Sequence, residues 1–199
     1  METALTNLKR LQRPPWNIAA VAAVLSFFMW TVFPVKGQEN GFTEYHVKAL
    51  FLYNFGKYVV WPEQAFADTN TPITIGVIGK DDFGDDLIQA VKGKSICGHL
   101  FAIRHLSAGD DVQGCQILFV SKSESPRVGD ILAKVGTLPV LTVGEDPAFA
   151  ANGGMINFVL KDGNVRLEIN LMSANKAGLK ISSKLLAVAD VVKGKGSRP

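Results

Sequence analysis

At 199 residues the chain can bury one sizeable core and is short for two. Its formal charge of +3 sits wholly in residues 1–37, where Lys9, Arg10, Arg13 and Lys36 face only Glu2. The balanced remainder argues against an electrostatic footprint for nucleic acid.

The first residues have the order of an export signal. A positive stretch ends at Arg13, an apolar run extends from Ile18 to Phe33, and Val35-Lys36-Gly37 precedes Gln38. Cleavage after Gly37 is expected, which leaves 38–199 as a single α/β domain delivered to the periplasm. The alternative is an uncleaved inner-membrane anchor facing the periplasm, because Trp16 to Phe33 approaches the roughly 20 residues that span a bilayer. In an oxidising compartment Cys97 and Cys115 are expected to pair as a disulfide, although two separate buried thiols remain an alternative. No His or Cys spacing resembles a metal site, and no cofactor is implied.

Thr43 is placed to cap a helix that runs to about Trp61, where Pro62 stops it. Val47, Leu50, Phe51, Phe55, Tyr58 and Val59 form its apolar stripe, and His46, Lys48, Asn54 and Lys57 its polar side. Ile73 to Ile78 reads as a buried strand with a short helix behind it, from Phe83 to Val91. Leu100 to Leu106 and Gln116 to Ser121 are further strands, the latter nearly all apolar as central strands of covered sheets are. Ser123 is expected to cap a helix over Ser125 to Val135, followed by a strand from Leu138 to Val143. Met155 to Leu160 and Asn164 to Asn170 flank Asp162-Gly163 and predict a hairpin. Ser173 to Gly178 and Ser182 to Val192 look helical, and residues 193–199 read as a flexible tail.

This alternation predicts a three-layer α/β/α sandwich with a mixed, mainly parallel sheet and a C-terminal β-hairpin plus helices. If the second and third strands run parallel, both cysteines fall at the same sheet edge, within reach of each other.

Candidate sites are few. The loop Gly76 to Gly84 follows a strand and precedes a helix, but it lacks the glycine spacing of a phosphate loop, so Asp82 is expected to cap the helix. Gly79, Gly153 and Gly154 could border a small-ligand pocket, although tight turns explain them as well. The histidines His46, His99 and His105 accompany no Gly-x-Ser-x-Gly nucleophile, and the chain is not expected to be an enzyme. Tyr58, Trp61 and Phe66 are the candidates for partner binding, since aromatic anchors dominate interface energies; packing under the first helix is the alternative.

The run from Glu44 to Pro62, EYHVKALFLYNFGKYVVWP, resembles the opening signature of the YfiR-like family of bacterial periplasmic proteins. The resemblance continues through Ile75 to Gly79, Gly114 to Ser121, Pro139 to Val143, Gly153 to Phe158 and Gly178 to Leu186. It implies an α/β/α domain, frequent homodimers, and a non-catalytic regulator that restrains an inner-membrane diguanylate cyclase in a system with an outer-membrane lipoprotein. Val60 stands where the family usually has Glu, and Gly56 where it has Ala, which bears on partner identity more than on fold. The rival reading is a periplasmic small-ligand sensor or binding protein.

Overall fold

The computed structural model describes residues 43–193, which belong to one compact unit. The expected leader and the tail from residue 194 lie outside the described residues. Among those described, no helix is long and apolar enough to cross a membrane.

Thr43 caps α1 (Glu44–Tyr58), its side-chain oxygen accepting from the His46 N–H at 3.1 Å. The helix ends three residues before the expected stop, because Val59–Val60 turns extended and forms β1. Then come β2 (Ile73–Ile78), α2 (Asp85–Val91), β3 (Ser95–Ile96), β4 (His99–Leu106) and β5 (Ile117–Val120). A 3-10 turn over Lys122–Arg127 leads into α3 (Val128–Val135), with Ser121 rather than Ser123 capping the turn. The chain closes with β6 (Leu141–Gly144), β7 (Ile156–Lys161), β8 (Asn164–Ile169), α4 (Leu171–Lys176), β9 (Lys180–Ile181), α5 (Ser183–Leu186) and β10 (Ala189–Val191).

The main sheet has the order β10-β8-β7-β6-β5-β2-β4-β3, and β1 pairs separately with β9. Strands β4, β2, β5, β6 and β7 are parallel, and β7–β8 is the expected antiparallel hairpin around Asp162-Gly163. Period-2 alternation divides each central strand between two cores. Ile117 and Phe119 of β5 face a core shared with α1, α2, α4 and α5, while Leu118 and Val120 face one closed by Val128, Ile131 and Val135 of α3. The fold is therefore the α/β sandwich that the strand–helix alternation predicts.

Three expectations need correction. The stretch Ser182 to Val192 is helical only over Ser183–Leu186, and Ala189–Val191 is an edge strand parallel to β8. Asp82 does not cap α2, whose cap is Gly84 at φ 52°. The cysteines are free thiols: Cys97 sits exposed in the β3–β4 turn and Cys115 is buried. The strands they precede are indeed parallel, but β2 lies between β4 and β5, which keeps the two positions at least about 10 Å apart, beyond the reach of a disulfide. That insertion also explains the short link from β4 to β5, which passes over one strand without a helix.

Candidate functional site

The first two turns of α1 carry the groups that tie the helix to the carboxyl ends of the parallel strands. Thr43 Oγ1 donates to Asp86 Oδ2 at 3.2 Å and His46 Nδ1 lies 3.0 Å from Asp86 Oδ1, which joins the helix start to α2. Tyr45 and Lys48, three residues apart, share a face. Lys48 was expected on the polar side of α1, yet it is 4% exposed.

A buried lysine needs paired and hydrogen-bonded charge around it. Its ammonium bonds Glu145 Oε2 and Glu44 Oε1 and lies 4.4 Å from the centre of the Tyr45 ring. Glu145, just past β6, accepts the Lys122 backbone N–H at 2.8 Å and the Tyr45 hydroxyl at 3.2 Å. Asp82, just past β2, lies 3.4 Å from the same hydroxyl and pairs with Lys80. Burial, and then the charges of Glu145 and Asp82, push the Tyr45 phenol far above its ordinary value, so it stays a hydrogen-bond donor.

One turn of helix is thus fastened to the loops that follow β2 and β6, and through Glu145 to the loop after β5. Beside it opens a cavity of about 590 Å³ whose lining includes Tyr45, Lys48, Glu145, Phe158, Leu160 and Glu168. The outer ends of parallel strands are where open α/β sheets receive ligands. The lining mixes charges of both signs with Phe158 and Leu160, which suits recognition by contact. Among the described residues no His, Cys, Asp and Glu cluster could hold a metal ion.

The residues singled out in the sequence lie elsewhere. Trp61 and Phe66 come together near the amino ends of the parallel strands. The Trp61 indole N–H donates to the Gln116 carbonyl at 3.0 Å, and Phe66 stacks on His99 at 4.4 Å. Tyr58, at the end of α1, packs with both against the larger core, and all three are half-buried. They combine a packing role with a partly exposed surface. Gly79, Gly153 and Gly154 are not brought together. Gly79 follows β2, level with the end of β5, whereas Gly154 precedes β7 with β5 and β6 between. A side chain at Gly154 would meet the Phe149 ring at 2.2 Å, so the glycine answers a packing need.

Sequence reasoning missed Tyr45, Lys48 and Glu145. A signal existed for Lys48: it shares its helix face with Leu52 and Phe55, both buried, and follows Glu44 at the i,i+4 spacing of an ion pair. Nothing local marks Glu145, which meets the helix only through the fold.

A mixed α/β sandwich with α1 fastened across its strand ends defines a class of compact α/β domains. Residues 45–190 match the family described as YfiR/HmsC-like, and the chain belongs to that family. Among solved structures it is similar to a conserved domain protein from Vibrio cholerae O1 biovar El Tor. The TM-score is 0.53 at 10% identity, over 76% of this chain and 60% of that one, a likeness of fold alone. This chain thus spans less than two thirds of that protein's length. No curated protein matches the chain.

Proposed function

We propose that the domain is a non-catalytic periplasmic regulator that binds the periplasmic part of an inner-membrane signalling protein and restrains a diguanylate cyclase. Membership of the YfiR/HmsC-like family across residues 45–190 carries this reading. An exported domain reaches cytoplasmic chemistry only through a membrane partner whose conformations it binds unequally. An outer-membrane lipoprotein belongs to the same system, as the family resemblance implies. The half-buried rings of Tyr58, Trp61 and Phe66 are the contact surface we assign to the membrane partner.

Deleting the gene should raise cyclic-di-GMP, and restoring it should lower the level again; an unchanged level overturns the assignment. Trp61→Ala in a chain that still folds should lose capture of the cyclase from detergent-solubilised membranes. Retained capture would move the contact surface elsewhere on the domain.

A second reading, a small-ligand sensor, draws on the cavity of about 590 Å³ beside Lys48 and Glu145. A ligand held there raises the melting temperature by mass action, which a screen of periplasmic metabolites would detect.

A further inference from the structure

The cavity beside Lys48 carries a charge that its own lining does not balance. Three carboxylates line it, those of Glu44, Glu145 and Glu168, against the ammonium groups of Lys48 and Lys122. Lys48 is held between Glu44 and Glu145, and Lys122 is exposed. Among the described residues Glu168 is in no ion pair, and its carboxylate has one hydrogen-bond partner, the Asn157 amide, whose Nδ2 donates to Oε2 at 3.4 Å. Asn157 stands directly opposite Glu168 in the β7–β8 ladder, so the two side chains share one face. It is fully buried, and its Oδ1 accepts from no donor among the described residues. A buried acceptor without a donor and a carboxylate without a counter-ion are each costly, and a positively charged donor relieves both.

The apolar side of the cavity comes from β7. Its pairing with β6 ends at Gly144 and Asn157, so the residues that follow Asn157 have no strand beside them there and line the cavity instead. Phe158 is buried, whereas Leu160 leaves 57% of its surface exposed. We infer that this cavity takes an organic amine, one ammonium group on a compact apolar body. The inference rests on the small-ligand reading of the same cavity and narrows it. The ammonium group sits at Glu168, and the body covers Leu160 and packs toward Phe158. The volume of about 590 Å³ lies within the range of small-molecule sites. The excess of carboxylate turns away phosphates and nucleotides, whose charge would add to it.

Three probes with a common phenethyl body and different head groups separate charge from shape: phenethylamine, phenethyl alcohol and hydrocinnamate. Calorimetric titration of each into the protein, as processed in the cell, should show binding of the amine, about tenfold weaker binding of the alcohol, and none of the carboxylate. Glu168→Gln keeps the length of the side chain and an acceptor for the Asn157 amide. It should retain the wild-type circular dichroism and weaken the amine about tenfold while leaving the alcohol unchanged. If the variant fails to fold, the order of the three probes on the wild type still decides. Alcohol or carboxylate binding as tightly as the amine, or an amine indifferent to Glu168→Gln, would overturn the inference and leave a ligand site of another class in place. Failure of all three probes would overturn it as well. Should a screen of periplasmic metabolites then raise no melting temperature, the small-ligand reading falls with it.

Discussion

Tyr45 illustrates how one side chain reads its surroundings. Its hydroxyl lies between Glu145 and Asp82, and its ring stacks edge-on against Phe83 at 5.3 Å, so ionising the phenol would bury a third negative charge beside two others. The folded protein therefore holds the phenol proton more tightly than the unfolded chain, whose tyrosine titrates near its ordinary value of 10. The sign follows from linkage: the contribution is whole below pH 10, and above it the unfolded chain releases a proton that the folded one keeps, so stability falls. Urea midpoints followed into alkali should decline more steeply for the wild type than for Tyr45→Phe. Parallel profiles would mean that the phenol is indifferent to folding. Lys48 is the other half of this arrangement. Sequence patterning put it on the solvent side because lysine is rarely buried, yet Glu145 and Glu44 compensate it there.

The elements were legible wherever local chemistry decides them. Thr43 as a cap, the buried β2 and the apolar β5, and the Asp162-Gly163 hairpin all stand as their patterns predict. Pattern failed where a distant element intervenes: α1 stops at Tyr58 because Val59 and Val60 pair with Ile181 and Lys180, far along the chain. The glycines before β7 belong to this second group. Gly144 and Gly154 clasp the Phe149 ring from two sides: a methyl group at either would come within 2.4 and 2.2 Å of it, and the ring is fully buried. Gly154→Ala should therefore cost about 2 kcal/mol by overpacking, with the cavity beside Lys48 left intact. Phe149→Leu in the same chain should cost much less than the sum of the two single changes, since the smaller side chain makes room. Additive losses in chemical unfolding would place the strain somewhere other than this clasp.

At the scale of the whole molecule, strand order was the hidden quantity. Composition and alternation define a covered, mainly parallel sheet, but only the folded chain reveals that β2 separates β4 from β5 and so keeps Cys97 from Cys115. Family resemblance made the functional expectation legible, while the cradle around Lys48 depends on contacts roughly a hundred residues apart, such as Lys48 with Glu145.

The C-terminus shows the same limit. Leu185, Leu186, Val188, Ala189 and Val192 fit a helical stripe, yet the helix ends after one turn and Ala189–Val191 lies along β8 in parallel register, with the Val192 N–H donating to Ile169. The two readings predict different consequences for truncation after Leu186. Loss of an edge strand leaves the helical circular dichroism signal unchanged, uncovers β8, and removes a short ladder of hydrogen bonds worth about 1 kcal/mol each. The melting temperature should then drop by roughly 5–10 °C, with concentration-dependent association through the newly open β8 edge. Loss of a helix would instead lower the helical signal in proportion to the residues removed, and would leave the edge of β8 as it was.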